Sequence, residues 1–217
     1  MSMNFGREQA LLRQRLTEKG TPERGADQQA RYGDQIKCLG ASDDEVRAAA
    51  QDLLDQFPSM GRAQTTAFVR TLWGSKTHEL RGVGAQILSR RADILEPPDL
   101  GFVEGLLKDV HDEALRTSLA AEVLGVLVRK NKKLWKELQR LAKQDDAQLQ
   151  LAAVLAAKGP CSVDGGVFDR FAKLASPLLK SGDAAVLAAI DDVLAAAADQ
   201  ATDAVREFAA MHGRELG

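Results

Sequence analysis

The stretch LWGSKTHELRGVGAQILSRR, from Leu72 to Arg91, constrains the fold through its punctuation. Apolar residues at helical spacing run up to Trp73, Gly74 and Ser75 interrupt them, and Leu80, Val83, Ile87 and Leu88 then restart the pattern on one face. Arg81, Arg90 and Arg91 fall towards the edges of that face or away from it. Two helices joined by so short a break form an αα-hairpin. Trp73 closes the first helix, where it is expected to plug the groove between adjacent helix pairs.

The same grammar recurs along the chain. Helices are expected over residues 5–19, 26–37, 43–56, 61–73, 77–91, 98–109, 112–130, 131–143, 146–158, 164–180, 183–198 and 201–213. Ser42-Asp43-Asp44-Glu45 reads as an N-cap followed by acids that complement the helix dipole. Pro97-Pro98-Asp99 opens another pair, and Gly159-Pro160 is expected to close the helix that begins near Asp146. Alternating runs of β-branched residues are missing, and aromatics make up only 5% of the chain, so local propensity leans to helix.

A single helix pair cannot bury its apolar stripe, so consecutive pairs must stack. The expectation is an all-α, single-domain, right-handed superhelical solenoid of HEAT-like helical hairpins over residues 1–217. Residues 1–25 are expected to hold an N-terminal capping helix and residues 181–217 an acidic cap. A compact bundle is the structural rival.

Charge is more informative by position than in sum. The formal net charge is only -2, which gives no whole-molecule argument for nucleic acid. Residues 129–143, RKNKKLWKELQRLAK, however, carry seven basic residues and one acidic, whereas residues 181–217 carry seven acidic and two basic. Cys38 and Cys161 form no Cys-x-x-Cys pair, and His78 and His212 have no partners at metal-ligand spacing, so no metal or cofactor is expected. The charged N-terminus lacks a signal-peptide core, and no apolar run approaches membrane-spanning length. The expected setting is cytoplasmic and the expected state monomeric.

The segment ARYGDQIKCLGASDDEVR, Ala30 to Arg47, followed by the Leu72–Leu88 stretch, resembles the DNA alkylation repair family of HEAT-like-repeat DNA glycosylases. The matching positions are Ala30, Tyr32, Leu39, Gly40, Arg47, Leu72, Trp73, Ser75, Glu79 and Arg81. The likeness continues more weakly through ILEPPDLGFVEGLL, Leu124-Gly125 and LQLAAVLAA. It implies a scaffold that holds DNA across a concave basic face and hydrolyses the N-glycosidic bond of cationic alkylated purines. It also implies an Asp that stabilises charge on the sugar, two Trp against the backbone and an Arg on phosphate. Counted from Leu124-Gly125, the Asp position falls on Thr117 and the first Trp on Glu113. Counted from LQLAAVLAA, the Arg falls on Leu151, and an ungapped match puts the second Trp near Asp192. The scaffold is therefore expected without the family's catalytic set.

Candidate DNA-contacting residues are Tyr32, Arg47, Arg81, Arg116, Lys132, Lys136, Arg140 and Lys143. The last group lies at spacings of four, four and three opposite Leu134, Leu138 and Leu141. Like charges so placed repel, which a phosphate-contacting strip would explain and which counter-charges from the next helix would explain equally. Glu79 and Arg81 sit two apart, cannot pair on one helix, and are expected to form ion pairs with neighbouring helices. Glu113, in the crowded His111-Asp112-Glu113 cluster with Arg116 and Glu122, could replace the missing carboxylate, or could simply be a dipole partner of its helix. The leading function is a DNA-binding protein of this family, on duplex or branched DNA, inactive or weak in base excision. The alternatives are an active glycosylase with relocated groups and a HEAT-repeat scaffold for a protein partner.

Overall fold

A computed structural model of the chain describes residues 3–180 and 183–214. Residues 181, 182 and 215–217 of the expected acidic cap lie outside the described residues. The architecture is all-α, and among the described residues the only extended pairing is one isolated bridge, Lys37 to Thr77. By packing, the chain divides into two compact units, Met1–Leu95 and Glu96–Gly217.

The first unit contains α1 (Phe5–Lys19), α2 (Pro22–Tyr32), α3 (Asp43–Gln56), α4 (Arg62–Gly74) and α5 (His78–Arg90). Ser42 caps α3 as expected: its hydroxyl accepts from the Glu45 amide while the Glu45 carboxylate accepts from the Ser42 amide at 2.6 Å. The helix expected over 26–37 instead spans α2. Thr21 caps it and Pro22 starts it, with φ pre-set for the first turn, and Gly33 ends it at φ 71°. Residues 34–36 turn the chain, and the Lys37 amide then donates to the Lys76 carbonyl at 2.8 Å.

Helix α5 packs against α1, α3 and α4 and is buried on nearly all sides. That corrects the one-sided reading of this segment, because a helix surrounded by neighbours buries polar positions along with its apolar stripe. Leu80, Val83, Ile87 and Leu88 are in the core, and so are Glu79 and Arg81. The hairpin before α5 is present but shifted by a residue: Trp73 is buried, α4 runs through Gly74 to a Ser75 cap, and Ser75 and Lys76, the latter at a left-handed φ of 50°, make the turn.

The second unit opens with a 3₁₀ turn at Pro97–Asp99 and continues through α6 (Leu100–Asp109), α7 (Glu113–Thr117), a π-helical segment (Ser118–Leu124) and α8 (Gly125–Lys130). It ends with α9 (Trp135–Ala142), α10 (Ala147–Val163), α11 (Phe168–Leu178), α12 (Ala184–Ala197) and α13 (Thr202–Met211). Helix α10 is the centre of this unit, packed on α8, α9, α11 and α12.

Gly159-Pro160 does not close α10, which runs through it to Val163. Proline removes the amide that would have bonded the Ala156 carbonyl. That carbonyl lies against α8, where a Cβ on Gly125 would come within 2.9 Å of its oxygen, so only glycine lets the two backbones approach this closely. Buried Ala152, Ala153, Ala156, Ala157 and Cys161 hold the helix in place, and their packing outweighs the local breaker.

Candidate functional site

In the first unit the resemblance-bearing residues converge on the α4–α5 hairpin. Glu79 is fully buried, and its Oε1 accepts from the Leu39 amide at 2.8 Å and the Gly40 amide at 2.7 Å. The expected ion pair is thus replaced by a carboxylate that caps a turn. Gly40 needs its glycine there: φ is 78°, and a Cβ would meet the Thr21 carbonyl oxygen at 2.3 Å. The Gly40 carbonyl in turn accepts from the Thr21 amide at 3.0 Å and from Arg24 Nε at 2.8 Å. Cys38, beside this knot, has its thiol pushed up to about 11 by burial and by the Glu79 charge.

Arg81 is 1% exposed. Its Nε donates to the Trp73 carbonyl at 3.2 Å, and its guanidinium lies 5.0 Å from the Trp73 ring centroid. This burial withdraws Arg81 from the DNA-contacting candidates, since a phosphate cannot reach it. Tyr32 is half-buried and stacks on His78 with centroids 4.5 Å apart. Arg47 lies apart from this group, exposed on α3 and paired with Asp44.

In the second unit Glu113 is exposed in the first turn of α7, behind an Asp112 cap that accepts from the Leu115 amide at 2.9 Å. Arg116 turns back along its own helix, with Nη2 3.5 Å from the Val110 carbonyl and a buried Nε. Glu122 accepts from the Ser118 hydroxyl at 2.8 Å. The residues read as a cluster thus run from the cap of α7 into the π segment.

The π segment adds a feature that periodicity concealed. A π turn takes up about one residue more than an α turn, so positions before it rotate by about one residue relative to those after it. Counting back from Leu124-Gly125 in three dimensions moves the position assigned to Thr117 towards Arg116. Neither residue is a carboxylate. Leu151 is 8% exposed in α10, and the Asp192 carboxylate pairs with Lys158 at 3.4 Å.

The basic strip is partly neutralised. Lys132 pairs with Asp164 at 2.6 Å, and Arg140 holds Glu104 at 2.5 Å and Glu137 at 2.8 Å. The Arg140 guanidinium, followed by the Lys108 ammonium at 2.8 Å, keeps the Glu104 carboxyl below its usual range, and the carboxylates push Arg140 up. Counter-charges thus account for two of the four stripe residues. Lys136 and Lys143 are exposed and have no carboxylate partner among the described residues.

A family model described as DNA alkylation repair enzyme matches residues 12–217. The chain belongs to the DNA alkylation repair enzyme family. A solved structure similar to this family member is a predicted DNA alkylation repair enzyme from Enterococcus faecalis, with a TM-score of 0.72 at 11% identity over 89% of this chain and 90% of that one. At that identity the likeness speaks for the fold. No curated protein matches the chain in sequence. No described helix of this family member is long and apolar enough to cross a membrane, and no described group of three or more His, Cys, Asp or Glu could hold a metal ion.

Sequence reasoning missed Arg170 and Lys173 on α11. Both are exposed, and Arg170 Nη1 donates to the Lys132 carbonyl at 2.6 Å, at the entry to the basic helix. Their three-residue spacing was visible, but their adjacency to α9 is a property of the packing.

Proposed function

We propose that this member of the DNA alkylation repair enzyme family binds duplex or branched DNA, as a cytoplasmic monomer, and excises bases weakly or not at all. The observation that carries the reading is the surface where the resemblance implies a catalytic Asp. Thr117 stands there, or Arg116 once the π segment is counted, while Leu151 is buried and Asp192 is engaged by Lys158. An oxocarbenium-like centre needs a fixed anion beside it; Thr117, Arg116 and Leu151 supply none, and the Asp192 carboxylate falls at a position the resemblance gives to a backbone-contacting Trp and pairs with Lys158. Binding requires less: cationic side chains free to meet phosphate, which α9 presents at Lys136 and Lys143.

The test pairs two measurements on the purified chain. Salt titrations with fluorescent duplex, branched and single-stranded DNA read binding, and release of alkylated bases from damaged duplex reads excision. Salt-dependent binding without base release is expected. Rapid base release that Glu113→Gln abolishes would overturn the reading in favour of relocated catalysis. No binding even at low salt would leave the scaffold for a protein partner.

A further inference from the structure

The helices of the second unit sort by charge. Helix α9 packs beside α11, and α10 packs beside α12. Residues 129–143 and 164–180, which form and lead into α9 and α11, contain ten basic and three acidic residues. Residues 145–163 and 183–198, which form and lead into α10 and α12, contain one basic and five acidic. Two of the positions that the resemblance assigns to DNA contact, Leu151 and Asp192, lie on α10 and α12, the acid-bearing pair.

The acidic groups within α9, α11 and the residues leading into them are Glu137, Asp164 and Asp169, and Glu104 of α6 also reaches this side, against Arg140. Glu137 is held by Arg140 and Asp164 by Lys132, leaving Lys133, Lys136, Lys143 and Lys173 exposed and without a carboxylate partner among the described residues. Arg170 joins the two rows through the Lys132 carbonyl. From Lys133 to Lys143 the row extends about 15 Å at helical rise, and adjacent helices lie about 8–10 Å apart. Two cationic rows at that separation match phosphates flanking a groove on the order of 12 Å wide. Unpaired like charges concentrated on one face cost stability, and a polyanionic ligand removes the repulsion.

The geometry points to the α9–α11 face as the DNA-contacting surface of this chain, engaging the phosphodiester backbone of duplex DNA from the side away from α10 and α12. This rests on the DNA-binding reading above. It assigns the contact to Lys133, Lys136, Lys143 and Lys173, with Arg170 tying the two rows together. Contacts of this kind go to phosphate and carry no sequence preference.

The experiment compares the parent chain, the triple variant Lys133→Glu/Lys136→Glu/Lys173→Glu, and the charge-matched Arg7→Glu/Arg13→Glu/Lys19→Glu on α1. Each is checked for folding by circular dichroism and titrated with salt on a fluorescent duplex. The α9–α11 variant is expected to bind at least about tenfold more weakly near 0.1 M salt, with a salt slope shallower by about 2 to 3, since each lost phosphate contact removes about 0.9. The α1 variant is expected to keep the parent slope. Equal losses in both variants, or an unchanged slope in the first, would overturn the assignment. A parent chain that fails to bind at all defeats the DNA-binding reading itself, which distinguishes the two failures. If the triple variant misfolds, single substitutions at Lys136 and Lys173 decide the matter, each expected to lower the slope by about 1.

Discussion

Replacing Glu79 by Ala should destabilise the first unit. The carboxylate is fully buried and accepts from two backbone amides, those of Leu39 and Gly40. Hydrogen bonds to a charged group contribute about 1.5–3 kcal/mol each, so removing both, with the donors left unpaired, should cost about 3–6 kcal/mol. Against a urea slope of about 2 kcal/mol/M, a loss near 4 kcal/mol moves the midpoint by about 2 M. Trp73 lies in this unit and Trp135 in the other, so a Trp135→Phe background lets Trp73 fluorescence report the first unit alone. Glu79→Gln keeps an acceptor at the same place and should lose less than half as much. An alanine variant whose midpoint stays within about 0.3 M of its parent would show that the turn is held by its packing and that the carboxylate contributes nothing.

Gly40→Ala should destabilise the same unit by at least about 2 kcal/mol, read by the same urea assay, because positive φ and the collision with the Thr21 carbonyl both oppose it. The Glu104 carboxyl is held below its usual range by Arg140 and Lys108, so its contribution to the second unit is complete above the unfolded value of about 4.3 and is lost as pH falls through the lower folded value. Urea unfolding followed by Trp135 should therefore show a steeper acid loss in the parent than in Glu104→Gln. Burial pushes Cys161 up to about 12 and Cys38 up to about 11, so both thiols should react slowly with a disulfide reagent at pH 8 and rapidly once the chain is denatured.

Much of the architecture was legible because it is written locally. The Ser42 cap and the Trp73-Gly74-Ser75 break declare themselves within a few residues, and the hydrophobic stripe of α9 fixes which of its faces is buried. Where the reading went wrong, tertiary packing overrode a local signal. Pro160 reads as a stop, yet close packing against Gly125 keeps α10 going. Glu79 and Arg81 read as ion-pairing residues, and Arg81 also as a DNA contact, because one helix viewed alone has an outside, and α5 scarcely has one. The π segment left no trace in the periodicity, since one added residue changes register without changing composition. At the candidate site the basic stripe was visible, but its counter-charges come from Glu104 and Asp164, on other elements. The second row on α11 became part of the surface only through packing.

The π segment also bears on how such a surface can change. Substitution alters what a helix presents at a given angle, but it leaves the angle alone. A single-residue deletion between Ser118 and Leu124 would restore α register and swing Glu113 and Thr117 by about 100° about the helix axis, with Gly125 still seated on α10. A helix built this way holds two faces in reserve, and one codon separates them.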